Sequence, residues 1–421
     1  MTSRERVRSV LGGEKPDRVP NGLGATLNTG MHLLAYERFR RMLGLDGPAP
    51  RMMSFEANAL FEMPVVSAIG ADMVSLGLKI TPARFWAPGH AADWKEVSLW
   101  DRPCQVPAAW EVSTDLDGAT WIDGYAWDAL GYNVPVARPN CRLKCPPGGR
   151  YFDPVLLPGL LPDENPTLEK YEPPRGYPPG WLEGIAQSAR WLHENTELGI
   201  VCDEMINDFQ LTPGGLDGWW MMMATEPATV HRFLDKACQS AVSQLKLVDE
   251  AVGRYADLLM IAQDFGDLRG VTIGPELWRQ IFKPHFRDLF TEWHRVSRMK
   301  IGMHSCGAIG EILGDLIECG LDVINPVQVS ARGMEPGGLV ERFGGRIVFY
   351  GGSYDAVATE AGTPAEEVRR KVADNIRAFA ATGRYIFCGV HNIQWNVPDS
   401  HLGAILEAFR ECRGETGPGR S

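Results

Sequence analysis

The sequence predicts an α/β protein built on a (β/α)8 barrel of the TIM type, with an irregular insertion at about residues 80–180 in the N-terminal half. Three observations lead there. After residue 180, short apolar runs alternate with amphipathic helical stretches, and strands joined by helices pair in parallel. About seven such runs can be counted, close to the eight of a barrel. Polar residues follow one run after another, as they do where chemistry gathers at the C-terminal ends of barrel strands. A chain of 421 residues is long enough for one barrel plus an insertion, so a single domain over 1–421 is expected.

The elements are expected in this order. Residues 4–12 form a short amphipathic helix, and Gly12 to Pro20 a loop. A first strand falls at 71–78. The stretch 80–180 is rich in Pro, Gly and Trp and is expected to hold loops and short strands. Strands then fall at 199–203, 257–263, 299–303, 321–325, 346–350 and 384–388. Between them, 276–296 is helical but broken by Pro284. In 308–319 the buried stripe is Ile309, Ile312, Leu313 and Leu316. In 364–381, Val368, Val372, Ile376 and Phe379 share a face, with Thr363 as N-cap and Glu366 completing a capping box.

Composition excludes several classes of partner. The 42 basic and 53 acidic residues leave a net charge of −11, which disfavours nucleic acid and anionic membranes. No apolar stretch is long enough to span a bilayer, and Met1-Thr2-Ser3-Arg4-Glu5-Arg6 lacks a signal core. Nine scattered cysteines suit reduced thiols, so a cytoplasmic location is expected.

Candidate site residues come from the strand ends. His304-Ser305-Cys306-Gly307 closes the 299–303 run, and an imidazole and a thiol at this spacing can reach one zinc ion across a turn. A lone His-x-Cys is more often a bonded histidine beside a buried thiol. Further candidates at other strand ends raise the metal reading. These are His391, past the last strand in a polar loop, with Cys388, Glu204 and Asp264. Cys388 lies inside the apolar run Tyr385–Cys388, where a core role is expected; it is the alternative ligand. Asp264 and Glu204 are candidate acid–base groups, against the simpler roles of cap or ion-pair partner. Gln328, Tyr354, Asn392 and Gln394 are candidate substrate contacts. Gly351-Gly352 is a weak phosphate-loop signal, with close backbone approach as the plainer reading. Cys141 and Cys145 are expected to be unrelated loop thiols, and Asp128 a candidate lid residue.

Several of these motifs together resemble the uroporphyrinogen decarboxylase superfamily. They are Arg4 through Pro20, Gln263-Asp264-Phe265-Gly266, His304-Ser305-Cys306-Gly307, Asp322 through Gln328, Phe349-Tyr350-Gly351-Gly352 and His391-Asn392-Ile393-Gln394. The resemblance implies a (β/α)8 barrel. Decarboxylases of the family hold substrate carboxylates with an arginine-rich N-terminal motif, whereas Asn21 to Asn28 here contains no arginine. The resemblance is greater to the uncharacterised branches and to the methyltransferase branch, which binds zinc through His-x-Cys and a distant cysteine and serves corrinoid proteins. Here His391 stands near that third place. The expected function is zinc-dependent methyl transfer between a small methylated compound and the cobalamin of a partner corrinoid protein. Two alternatives are a metal-independent decarboxylase or lyase on a small carboxylic acid, with Asp264 as the acid, and a non-catalytic barrel that binds a corrinoid or tetrapyrrole.

Overall fold

A computed structural model describes residues 1–76, 94–123, 141–156, 176–177, 180–206 and 215–413. Asp128 lies outside the described residues. The strands are β1 (Met73–Ser75), β2 (Trp94–Leu99), β3 (Arg102–Pro107), β4 (Glu111–Thr114), β5 (Thr120–Asp123), β6 (Cys141–Cys145), β7 (Asp153–Leu156), β8 (Gly199–Asp203), β9 (Leu258–Ala262), β10 (Lys300–His304), β11 (Val323–Asn325), β12 (Val348–Tyr350) and β13 (Tyr385–Ile386). The helices are α1 (Ser3–Gly12), α2 (Leu33–Met42), α3 (Met63–Ala68), α4 (Trp181–Asn195), α5 (Gly215–Thr225), α6 (Pro227–Val252), α7 (Pro275–Ile281), α8 (Lys283–Val296), α9 (Leu313–Cys319), α10 (Pro336–Phe343), α11 (Ala365–Ala380) and α12 (Asp399–Cys412).

Strands β1, β8, β9, β10, β11, β12 and β13 pair in that order, all in parallel, into a curled seven-stranded sheet. The eighth place is filled by three residues. Phe387 N–H donates to Pro20 O (2.9 Å) and Gly22 N–H to Phe387 O (2.8 Å), while Asp72 N–H donates to Asn21 O (2.8 Å). Pro20–Gly22 thus joins the two edges of the sheet, and the TIM-type architecture expected from the sequence is present.

Alternation along the strands sorts the core into two parts. Val201, Leu258, Met260, Val323, Val348, Tyr350, Ile386 and Cys388 pack inside the barrel, with Val7, Val10 and Leu11 of α1 plugging its lower end. Their strand neighbours Ile200, Leu259, Ile301, Ile324 and Phe349 join the larger core shared with the helices. Gly302 leaves room inside for Met260: a Cβ there would lie 2.2 Å from Met260 Sδ and displace that side chain. Below the seam, the fully buried Asp72 accepts from Arg6 Nη1 (2.7 Å), Arg18 Nη1 (2.9 Å) and Asn21 N–H (2.7 Å).

Strands β2–β3 form a hairpin and β4 to β7 an antiparallel sheet, both within the stretch read as irregular. Val106, Ile122 and Leu143 from these strands, with Phe152 just before β7, share the larger core with the barrel. Cys141 and Cys145 bound β6, so they are strand residues rather than loop thiols. The eight cysteines with described side chains are free thiols. The break expected at Pro284 occurs at Phe282, between α7 and α8, where Pro284 sits in the first turn of α8 and needs no N–H partner. Two expectations are corrected. Helix α9 is shorter than 308–319, because residues after the Gly307 turn run in turns before Leu313. Helix α11 has Pro364 as N-cap, without a side-chain capping bond. Among the described residues, no helix is long and apolar enough to cross a membrane.

Candidate metal centre

Interior alternation places His304 at the top of β10, paired with Asn325 at the end of β11. Both are buried. Asn325 Nδ2 donates to Tyr350 O (2.9 Å), so its Oδ1 must face His304 Nδ1 (2.8 Å) and accept a proton from it. His304 is therefore the Nδ1–H tautomer, and Nε2 presents a lone pair. Burial lowers its pKa to about 4, so the ring is neutral at pH 7 and its 4.0 Å approach to Asp264 Oδ1 is not an ion pair.

Cys306 Sγ stands 3.2 Å from His304 Nε2. Its loop is pinned on three sides. Ser305 N–H donates to Asn325 O (2.6 Å), Cys306 N–H to Asp264 Oδ1 (2.8 Å) and Gly307 N–H to Gln328 Oε1 (2.8 Å). Gly307 has φ +85°, and a Cβ on it would strike Gly266 at 2.3 Å, so the tight turn after the thiol needs glycine. Burial, then the carboxylates of Asp264 and Glu56, push the Cys306 thiol well above its ordinary pKa. It stays protonated until a cation is placed among these groups.

His391 arrives from the loop after β13, its ring 5.3 Å from that of His304 and steeply tilted to it. It donates Nδ1–H to Asn392 Oδ1, which also accepts from Gln394 Nε2 (2.9 Å). Like His304, it thus offers Nε2. One donor atom each from His304, Cys306 and His391 lies within 4.8 Å of the others. Zinc bonds of about 2.0–2.3 Å hold tetrahedral ligands roughly 3.3–3.8 Å apart, so small side-chain rotations would close this set on an ion. The residues fit the group.

The other candidates divide. Asp264 stands at the mouth beside His304 and Cys306, its side chain 62% exposed. Glu204 lies at the end of β8 with φ +46° and accepts from Asn28 Nδ2 (3.3 Å). The buried carboxylate of that strand end is Asp203, which accepts Leu27 N–H (2.6 Å) and is raised by burial to about 7. Cys388 lies inside the barrel with its Sγ toward Gly389 O (3.1 Å). Tyr354 is drawn away from the cluster, its ring buried and its hydroxyl on His401 Nδ1 (3.3 Å). Gln328 bonds loop backbone and Gln394 bonds Asn392 and accepts from Tyr151 OH at its Oε1, while Asn392 holds His391 Nδ1 through Oδ1 and donates to Asn58 Oδ1. Gly351 and Gly352 are close-approach glycines: a Cβ on them would lie 2.7 Å from Gly389 O and 2.9 Å from Val327 Cβ.

Sequence reasoning missed Glu56, Asn58 and Tyr151, which reach the site from segments that follow no barrel strand. It also missed the role of Asn325, whose signal was available as a polar residue ending an apolar strand.

Residues 212–412 match the family model of uroporphyrinogen decarboxylase. Over this segment, just under half of the chain, the protein is similar to the uroporphyrinogen decarboxylase superfamily. The superfamily segment holds His304, Cys306, Asn325 and His391, while Glu56, Asn58 and Tyr151 lie outside it. No curated protein matches the sequence. A methyltransferase from Methanosarcina mazei shares the fold, at 15% identity and a TM-score of 0.55, with 98% of this chain and 99% of that one covered. Xylanase B from Clostridium stercorarium F9 is far more distant, at 13% identity and a TM-score of 0.33 over 58% of this chain and 88% of that one.

Proposed function

We propose that this protein is a zinc-dependent methyltransferase that moves a methyl group between a small methylated compound and a corrinoid protein. The observation that carries the reading is the convergence of His304, Cys306 and His391, with both imidazoles held in the tautomer that turns Nε2 toward the thiol. These three residues would hold the ion. Bound zinc supplies Lewis acidity, enough to polarise an ether oxygen or to keep a thiol as thiolate at neutral pH. Asp264 fixes the Cys306 loop through its N–H and, standing at the mouth, is the group placed to take or return a proton; Glu204 is the second carboxylate of this reading. The segment Asn21–Asn28 brings amide, hydroxyl and apolar groups rather than guanidinium groups, which suits a small uncharged substrate better than a polycarboxylate. The choice of methyl transfer within the superfamily rests on the resemblance of the His-x-Cys motif to the methyltransferase branch.

The test has two stages. Protein purified without chelator is expected to carry about one zinc per chain by elemental analysis. Incubated with cob(I)alamin and a panel of methoxylated compounds, it is expected to give the spectrum of methylcobalamin. Carbon dioxide release from a small carboxylic acid by metal-free protein would replace this reading with the decarboxylase. Corrinoid binding without turnover of any substrate would replace it with the binding barrel.

A further inference from the structure

The loop that carries His391 is held by backbone as well as side chains. Ile393 N–H donates to Gly30 O and His32 N–H to Ile393 O, both at 2.9 Å. Ala59 N–H donates to Met31 O (2.8 Å), and Met53 N–H to Asn58 O (2.8 Å). A short hairpin around residues 52–59 is thereby stitched across the barrel mouth to the His391 loop. At its tip stand Glu56 and Asn58.

These side chains form one directed chain of hydrogen bonds. Asn58 Nδ2 donates to Glu56 Oε2 (2.9 Å) and faces Leu27 O (3.4 Å), a carbonyl that can only accept; burial raises the Glu56 pKa, while its bond from Asn58 favours the carboxylate. Asn58 Oδ1 must then face Asn392 Nδ2, which donates to it at 2.7 Å. That fixes Asn392 Oδ1 toward His391 Nδ1, where only a ring N–H can complete the contact. Each amide has one orientation, set from one end by Glu56 and Leu27 O and from the other by Gln394 Nε2, which donates to Asn392 Oδ1 (2.9 Å) and to Asn392 O (3.1 Å). Asn58 and Asn392 are buried, so water does not compete for these bonds.

We propose that Glu56 is a positioning residue of His391: as the carboxylate that accepts from Asn58, it polarises the Asn58–Asn392 relay so that His391 keeps its proton on Nδ1 and turns Nε2 to the site. The inference rests on the reading of His391 as a metal ligand. Its weight lies in the polarity of the relay: an amide in place of Glu56 could donate as well as accept, so that only Leu27 O at 3.4 Å and Gln394 Nε2 would oppose reversal of the two asparagines. It also assigns the hairpin around 52–59, outside the superfamily segment, a part in metal binding.

The experiment compares Glu56→Gln, Glu56→Ala and Glu56→Asp in the full chain. Histidine ring 15N chemical shifts, read on metal-free protein, report the tautomer of His391; zinc affinity is read by chelator competition. The expected result is a single Nδ1–H tautomer in the parent and in Glu56→Asp, with mixed tautomers in Glu56→Gln and Glu56→Ala. Zinc affinity should fall roughly 10–100-fold in the latter two, the range for loss of an outer-shell partner. The His304 tautomer, fixed by Asn325, should not move in any variant, which separates this effect from general loosening. An unchanged His391 tautomer in both Glu56→Gln and Glu56→Ala would overturn the proposal, as would zinc affinity within twofold of the parent. If the parent binds no zinc but the His391 tautomer still follows Glu56, the metal reading fails and the positioning stands.

Discussion

The two histidines of the candidate centre are held by different means. His304 is part of a barrel strand, and its orienting partner Asn325 is the adjacent residue of the next strand. His391 stands on a loop, and its partners come from three separate segments: Asn392 beside it, Asn58 and Glu56 on the hairpin over the mouth, and Tyr151 just before β7, acting through Gln394. One ligand is fixed by sheet register, which cannot slip without turning every interior side chain outward. The other is fixed by a chain of amides, each link of which can be broken alone. The barrel supplies rigidity, and the irregular half of the chain supplies adjustment.

That contrast can be broken or sharpened by substitution. The largest effect is expected for Cys306→Ala, which removes a central ligand; structural zinc sites contribute about 10–16 kcal/mol of binding. Elemental analysis should show the zinc lost, circular dichroism an intact fold, and Cys388→Ala should keep the ion. Unfolding of Cys306→Ala would instead place that thiol in the core. Next comes Asp72→Ala, below the seam. It takes a buried carboxylate from Arg18 and from Arg6, which keeps Asp17, a change expected to cost up to about 3–5 kcal/mol in denaturant unfolding. A loss under about 1 kcal/mol would show that the seam does not depend on this carboxylate. Asn325→Ala and Asn392→Ala should each weaken zinc about 10–100-fold, yet alter the tautomer of one histidine only, His304 and His391 respectively.

The smallest effect depends on pH. The folded pKa of Asp203, about 7, lies above its ordinary 3.8. Between pH 4 and 7 the folded chain thus keeps a proton that the unfolded chain releases, and stability falls as pH rises through that window. Asp203→Asn removes this slope. Relative to the parent, its melting temperature should therefore be higher at pH 8 than at pH 5. The opposite order would show that Asp203 is ionised in the fold.

What the sequence disclosed follows the same division. Gly199–Asp203 is the strand expected, and β9 to β13 fall within or one residue beyond the expected runs, because buried parallel strands are continuous apolar blocks between helices. His304 and Cys306 followed from position at a strand end. Tyr354 and Gln394 showed why that rule overreaches: a polar residue after a strand is as often spent holding the loop as facing a ligand, and only tertiary contacts distinguish the two. Glu56 and Asn58 left no such trace. They stand on a hairpin without strand periodicity, and their partner Asn392 is more than three hundred residues away.

The seam at Pro20–Gly22 has a consequence for how the chain is made. One side of it emerges from the ribosome more than 360 residues before the other, which is complete only when Phe387 has been added. Throughout elongation the nascent sheet grows with two bare edges, and its apolar interior is open on one flank. Such edges recruit other strands, and contacts between distant residues form slowly. The polypeptide therefore needs protection from self-association until its last strand is out, and a truncation before residue 385 should yield aggregate rather than a smaller folded protein.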